Sequence, residues 1–344
     1  MERAAQVVGQ STAFLDAIER ASRAAALNRP VLVIGERGTG KELIAERLHR
    51  LSPRWAGPLI TMNCAALAES LIEAELFGHE AGAFTGATRA REGRFEEADG
   101  GTLFLDELAT LSAAAQERLL RAVEYGEVTR IGSNVPRRVD VRIVAATNEH
   151  LPALVEKGRF RADLLDRLAF EVVTLPPLRA RQGDVPVLSE FFGRRMAAEL
   201  EWREWPGFSQ DTMAVLEAYD WPGNVRELRN TVERAVYRWE RPDVPIGEID
   251  FDPFASPWKP ASSPARQTES TVPSQPISDE QPVAAKSNGS GSFRDAVLSF
   301  ERDLVADALS RHRYNQRAAA KSLSLSYDQL RHAMKRLGLA EKPS

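Results

Sequence analysis

Residues 31–42, VLVIGERGTGKE, run from a β-branched apolar stretch through a glycine-rich turn into a helix start. A chain with this segment must put a buried strand before the loop and a helix after it, which is the geometry of an anion cradle. Gly35, Gly38 and Gly40 let backbone N–H groups turn inward around phosphate, the helix N-terminus adds a favourable dipole, and Lys41 supplies positive charge. Gly35, Glu36, Arg37, Gly38, Thr39, Gly40, Lys41 and Glu42 are therefore the candidate nucleotide-binding residues. The alternative, an ordinary glycine turn with a solvated lysine, leaves the flanking strand and helix unexplained. After Lys41 comes Glu42, where the general motif has Ser or Thr to bind magnesium. The metal must then lean on other groups.

Further short β-rich runs (59–62, 103–105, 139–145 and 171–175) alternate with helical patterns such as 14–26 and 113–123. That alternation implies a parallel sheet covered on both faces, and an α/β subdomain is expected over 1–178. From about residue 184 to 241 strand signals vanish while helical ones continue, so a small helical subdomain is expected over 179–252. Residues 253–292 hold seven Pro and nine Ser without periodicity, the composition of a flexible linker.

The remaining residues, 293–344, carry ten Lys or Arg against six Asp or Glu; this +4 tail leaves −8 on the rest of a chain whose total is −4. A basic tail on an acidic body points to an appended nucleic-acid module. The single cysteine, Cys64, excludes an internal disulfide or a Cys-cluster metal site and fits a reducing compartment. No apolar run reaches the roughly 18 residues of a membrane span, and the N-terminus lacks the hydrophobic stretch of a signal peptide. A cytoplasmic protein is expected.

Residues 100–107, GGTLFLDE, read as a buried strand ending in two carboxylates at the edge where the glycine loop also lies. Asp106 can hold Mg²⁺, and Glu107 can orient and deprotonate an attacking water. The strand before Thr147 and Asn148 brings polar groups to the same edge, as γ-phosphate sensors or, for Asn148, as a cap. Asn63 closes the strand LITMN and is a candidate hydrogen-bond partner of Glu107. Arg161 and Arg167 are six apart, not on one helical face; they reach either a neighbouring subunit's γ-phosphate, as arginine fingers do, or Asp163 and Asp166. Arg226, on the first turn after WPGN, can contact phosphate from the helical subdomain.

Together GERGTGKE, ELFGHEAGAFTGA, GTLFLDE, FRADLLDRL and WPGNVREL, over residues 5 to about 250, resemble the AAA+ activators of sigma-54 RNA polymerase. The resemblance implies an AAA+ P-loop ATPase using ATP and Mg²⁺, assembled as a ring, commonly a hexamer, with nucleotide between subunits and Arg161 and Arg167 acting in trans. Glu42 is the ordinary residue of that family. There the segment Gly82, Ala83, Phe84, Thr85, Gly86 and Ala87 is a surface loop that touches sigma-54 and moves with the nucleotide cycle. Read from the residues alone, two glycines give backbone freedom around an apolar and hydroxyl tip, and burial of Phe84 as a core residue is the alternative.

The tail resembles a Fis-type helix-turn-helix. Helices are expected over 301–311 and 316–323, with Leu304, Val305, Ala308 and Leu309 on one inward face. A third starts at Ser326, which forms a capping box with Gln329. Leu330, Met334 and Leu337 face inward there, leaving Tyr327, Arg331, His332 and Lys335 to meet double-stranded DNA. Ser324 stands at the turn where glycine is usual. Within the family the chain is similar to the phage-shock branch, in which a phage-shock protein acting in trans binds the AAA+ domain and inhibits it. Trp55 is the candidate docking residue, or a partly buried core residue.

Overall fold

The structure, a computed structural model, describes residues 6–67, 69–84, 86–254, 258, 293–312, 315–323, 325 and 327–337. Thr85, Ser324, Ser326 and nearly all of the linker expected over 253–292 lie outside the described residues. The chain divides into two compact units, Met1–Ala261 and Ser262–Ser344.

In the first unit five parallel strands form one sheet. They are β1 (Val31–Ile34), β2 (Leu59–Asn63), β3 (Thr102–Asp106), β6 (Arg142–Thr147) and β7 (Glu171–Thr174), in the order β2-β3-β6-β1-β7. β4 (Glu127–Val128) and β5 (Arg137–Arg138) make a separate small antiparallel pair. The pleat sends alternate residues to opposite faces. Leu32, Leu103, Leu105, Ile143 and Ala145 join one core with helices α3 (Glu69–Phe77), α5 (Ala113–Tyr125) and α7 (Ala162–Leu168). Val31, Val33, Phe104, Val144, Ala146 and Val173 join the other with α1 (Thr12–Ala25) and α2 (Lys41–Arg50). Burial on both faces is why these strands read as continuous apolar runs.

The expected strand over 139–145 instead runs Arg142–Thr147. Residues 139–141 stay outside the strand, which opens on a buried charge. The Arg142 side chain donates to Ala24 O, Ala25 O and Leu48 O, capping the C-termini of α1 and α2, where a cation is favoured. Val139 is outside the sheet and donates its N–H to Gly126 O.

A helical subdomain follows: α8 (Asp184–Glu199), α9 (Gln210–Ala218) and α10 (Asn224–Arg238). They pack around Leu188, Phe192, Leu216, Leu228, Val232 and Trp221, whose ring is fully buried. Two short helices, α4 (Arg94–Glu97) and α6 (Leu151–Glu156), lie between the sheet's strands in sequence. A buried charge cluster ties the N-terminal segment to the start of α8. Asp184 accepts from Gln10 N (2.6 Å), Ser11 N (2.8 Å), Ser11 Oγ (3.0 Å) and Arg181 Nε (2.7 Å), and Arg181 lies 3.7 Å over the Phe14 ring. Burial pushes the Asp184 pKa up, but these donors outweigh it and hold the carboxyl below its ordinary value.

The second unit is a three-helix cluster, α11 (Phe293–Arg311), α12 (Gln316–Ser322) and α13 (Tyr327–Arg336). Val305, Ala308 and Leu309 pack on Ala319, Ala320, Leu330, Met334 and Leu337. Leu304, expected to face inward, is 44% exposed. Val305, Ala308 and Leu309 keep the i, i+3, i+4 stripe, and Leu304 sits about 100° off it, one residue too early. Arg336 forks onto Glu301 at 2.7 and 2.8 Å, joining α13 to α11.

Asp184→Ala should cost about 3–5 kcal/mol in urea unfolding, because it strands the buried Arg181 cation. A loss below 1 kcal/mol would mean that the cluster is dispensable.

Candidate functional site

β1 lies between β6 and β7 while the chain next goes to the far edge at β2, so β1 is the point where strand order reverses. In open α/β sheets the crevice outside the carboxyl ends at such a point receives ligands. The register pairs Ile34 with Thr147 and Thr174, and Gly35 N donates to Thr147 O at 3.2 Å, so the loop leaves the sheet at a fixed height. Gly38 (φ +77°) and Gly40 (φ +97°) take left-handed conformations that open the loop onto the N-terminus of α2. Lys41 is buried and folds back to donate from Nζ to Gly35 O (3.0 Å) and Glu36 O (3.4 Å). Burial pushes its pKa down, opposed by the charges of Asp106 and Glu107. Thr39 Oγ1 donates to Glu36 O at 2.8 Å, and Glu42 is exposed on the wall of the same cleft.

β3 is two strands from β1, about 10 Å at the usual strand spacing, a gap that phosphates and a cation span. Asp106 ends β3, and its Oδ1 accepts from Glu107 N at 2.9 Å. Glu107 itself is left-handed (φ +53°), an uncommon conformation for a carboxylate residue that turns its side chain back toward the loop. There Glu107 Oε1 lies 3.7 Å from Arg37 Nε. Lys41, Asp106 and Arg226 line one cleft of about 340 Å³, walled on its apolar side by Val7, Val8 and Phe191. A larger cleft, about 560 Å³, lies at the amino ends of the strands around Arg54 and Asp140 and holds none of these residues.

The other candidates divide. Thr147 is fully buried, and its Oγ1 accepts from Glu149 N at 3.0 Å, so it braces the strand end; Asn148 beside it is exposed. Asn63 is paired in register with Asp106, but its Oδ1 accepts from Ala65 N at 2.8 Å. The expected bond from Asn63 to Glu107 is not formed, because the turn after β2 takes up the carboxamide. Arg161 stands at the N-cap position of α7, and its guanidinium forks onto Asp163 at 3.0 and 2.7 Å. Arg167 pairs with Glu124 at 2.6 Å, not with Asp166. Both arginines keep exposed side chains, Arg161 just before α7 and Arg167 within it. Arg226 is exposed, and its backbone N–H donates to Gly38 O at 3.3 Å.

The segment around Gly82 rises from two legs clamped together. Phe77 and Phe95 stack at 5.6 Å and 9°, and a Cβ on Gly93 would stand 2.3 Å from Gly78 N. At the top Gly82 (φ +81°) and Gly86 (φ +104°) turn the chain in open space, with Gly82 N donating to Ala87 O at 2.7 Å. Phe84 is 39% exposed and meets only the His79 ring edge-on at 5.0 Å in the described ring contacts, so it is a tip residue and not core. Ala83 lies against Gly132, and Ala87 is buried.

Beneath the loop lies a charge lattice that the motifs did not reveal. Arg130, 8% exposed in its side chain, donates to Glu96 at 2.7 and 2.8 Å and lies 3.5 Å from both Glu80 and Glu92; Arg137 adds contacts to Glu96 and Glu80. The Arg130 hydrogen bond holds the Glu96 carboxyl below its ordinary range. Its members are scattered over 80–137, and no spacing rule links them.

Trp55 is 69% exposed, not core. In the second unit Tyr327, Arg331, His332 and Lys335 are exposed on α13, while Leu330, Met334 and Leu337 are buried. No helix of the described residues is long and apolar enough to cross a membrane.

Residues 7–174 match the family of the sigma-54 interaction domain, 179–256 an AAA+ ATPase lid domain, and 298–337 the Fis family of bacterial regulatory proteins. The chain is 49% identical over 331 residues to the Psp operon transcriptional activator of Escherichia coli, covering 96% of this chain and 97% of that one.

The chain belongs to the sigma-54-dependent AAA+ activators.

Other members resemble it over most of its length. It is 44% identical to the transcriptional regulatory protein ZraR of Salmonella typhimurium, over 89% of this chain and 68% of that one. A crystal structure of NtrX from Brucella abortus in complex with ATP superposes with a TM-score of 0.66 at 32% identity, over 97% of this chain and 70% of that one. The fold expected from the motifs, an AAA+ α/β unit with a helical lid and a Fis-type helix-turn-helix, is the fold observed. This activator is an ATPase that acts on sigma-54 polymerase and binds DNA through its helix-turn-helix.

Cys64 lies under the acidic pair of the activator. Its N–H donates to Asp106 O, and burial first, then the charges of Asp106 and Glu107, push its thiol pKa up to about 12. Native protein should therefore resist iodoacetamide at pH 8 and become fully alkylated in denaturant, as mass spectrometry can follow. Rapid alkylation of the folded protein would contradict this packing.

Proposed function

We propose that the cleft hydrolyses ATP with the following division of work, and that this drives remodelling of the closed sigma-54 polymerase complex. The observation that carries the reading is the convergence of Lys41, Asp106, Glu107 and Arg226 at the carboxyl edge where β1 meets α2. The loop N–H groups and Lys41 take the β- and γ-phosphates. Lys41 would exchange its bonds to Gly35 O and Glu36 O for phosphate oxygens.

Glu107 takes a proton from water, whose oxygen attacks the γ-phosphorus in line while the bond to the ADP oxygen breaks. Arg37 holds Glu107 back in the nucleotide-free cleft. Arg226, from the lid, answers the charge on the γ-phosphate. Arg161 and Arg167 act in trans on a neighbouring subunit of a ring, most simply a hexamer, once nucleotide draws them from Asp163 and Glu124. Thr147 and Asn148 hold the strand end that faces the γ-phosphate, and Asn63 acts on Asp106 through the strand pairing.

Mg²⁺ fits the donor set. No group of three or more His, Cys, Asp or Glu that could hold a metal lies among the described residues, and Mg²⁺ characteristically takes one or two carboxylates with phosphate and water. Asp106 would hold it, with Glu42 too exposed to do more than aid through water. Bound there, the ion would neutralise charge on the phosphate oxygens.

Gly82, Ala83, Phe84, Thr85, Gly86 and Ala87 present the contact to sigma-54. Tyr327, Arg331, His332 and Lys335 read an upstream palindrome as paired helices. Similarity to the Psp operon activator supports the phage shock operon as the target, with a phage-shock protein as the inhibitor acting in trans and Trp55 in its docking surface.

Two variants separate the engine from its output. Glu107→Gln should lower steady-state ATP turnover by about 10²–10⁴, the usual worth of a general base. Phe84→Ala should leave turnover near wild type and abolish open-complex formation, as permanganate reactivity of promoter DNA reports. Wild-type turnover in Glu107→Gln, or open complexes with Phe84→Ala, would refute the respective assignment.

A further inference from the structure

The turn that leads into α10 does more than start a helix. Trp221 (φ +51°) and Asn224 (φ +54°) are both left-handed, a conformation that Asn tolerates but that is unfavourable for a bulky residue such as Trp. Trp221 is anchored in the lid core, with Nε1 donating to Leu216 O at 2.9 Å. Asn224 is completely buried and turned the other way, toward the phosphate loop.

Its Nδ2 donates to Glu36 Oε2 (3.0 Å) and to Arg37 O (3.1 Å), while its Oδ1 accepts from Leu178 N (2.8 Å). One carboxamide thus joins the phosphate loop, the end of the sheet subdomain and the lid. Arg179, next to Leu178, forks onto Glu36 at 2.9 and 2.5 Å. Those hydrogen bonds, from Arg179 first and Asn224 second, bring the Glu36 pKa down to about 2, so the carboxylate is charged at any physiological pH. The backbones also touch: a Cβ on Gly38 would stand 2.3 Å from Gly223 O, and Arg226 N donates to Gly38 O.

We propose that Asn224 is a positioning residue: with Glu36 it latches the lid turn to the phosphate loop, so that the turn follows the loop and presents Arg226 to the γ-phosphate. Selectivity for ATP over ADP then depends on a residue that touches neither nucleotide. The latch rests on the reading of Arg226 given above.

The test uses the full chain and calorimetric binding of ADP and of a non-hydrolysable ATP analogue. Asn224→Gly removes the carboxamide but tolerates the left-handed backbone, and thermal unfolding identifies any loss of fold. The variant should bind the analogue about tenfold more weakly, about 1.4 kcal/mol, with ADP affinity nearly unchanged. In an Arg226→Ala background the same substitution should cost nothing further.

Glu36→Ala attacks the latch from its exposed side and carries the test if Asn224→Gly does not fold; it should lose the same selectivity and be non-additive with Asn224→Gly. Equal weakening of ADP and analogue would make the contact a mere brace and overturn the proposal. Selectivity lost in Arg226→Ala but kept in Asn224→Gly, or in Glu36→Ala, would overturn the proposal alone. Unchanged selectivity in Arg226→Ala would overturn the Arg226 reading together with it.

Discussion

Parallel pairing of β1 between β6 and β7 is the constraint on which the rest of the first unit depends. Because Ile34 is level with Thr147 and Thr174, the loop from Gly35 to Gly40 emerges where three strand ends meet. The Gly35 N–H bond to Thr147 O holds that exit point, and α2 starts directly on the loop with its N-terminal dipole aimed at the crevice. Asp106 and Glu107 reach the same crevice only because β3 is separated from β1 by the single strand β6. A strand order with β3 at the far edge would leave the carboxylates too far from Lys41 to act on one phosphate.

The acidic pair also touches the machinery of the loop. Cys64 hangs from Asp106 by a backbone bond and belongs to the same core as Ile72, Leu76 and Phe77 of α3, which leads straight into Gly78 and the Phe84 loop. Phe95 stacks on Phe77 to bring the returning leg alongside. A close-packed core transmits displacement because it has no free volume to absorb it. The ion lattice of Arg130, Glu80, Glu92 and Glu96 supports the base of the loop, while Gly82 and Gly86 turn in open space above it. A firm stem under two unpacked glycines suits the contact role proposed for Phe84.

Much of this was legible in the sequence wherever chemistry is local. The phosphate loop is one contiguous segment whose strand, turn and helix are each signalled by their own residues, and β1 lies where the apolar run placed it. The acidic pair follows its strand in the same way. Partnerships across the fold were not legible. Asn224 contacts Glu36 across 188 residues, and no periodicity connects them. The apolar residues before Arg142 do not belong to β6: Val139 bonds to Gly126 instead, and the buried Arg142 that opens the strand is held by carbonyls at two helix ends. Asn63 ends the strand beside Asp106, yet its carboxamide oxygen accepts from Ala65 N two residues on and not from a group across the sheet. Leu304, expected on the same face as Val305, Ala308 and Leu309, precedes their i, i+3, i+4 stripe by one residue and stays exposed.

The central claim is that nucleotide state at Lys41 and Glu107 sets the state of the Phe84 loop. Hydrogen exchange of peptides covering residues 79–88 in the full chain, compared between saturating ADP and a non-hydrolysable ATP analogue, reads this directly. The account predicts different protection of those amides in the two states, with the difference removed by Lys41→Ala. Identical exchange in both states, in protein that turns over ATP normally, would contradict it.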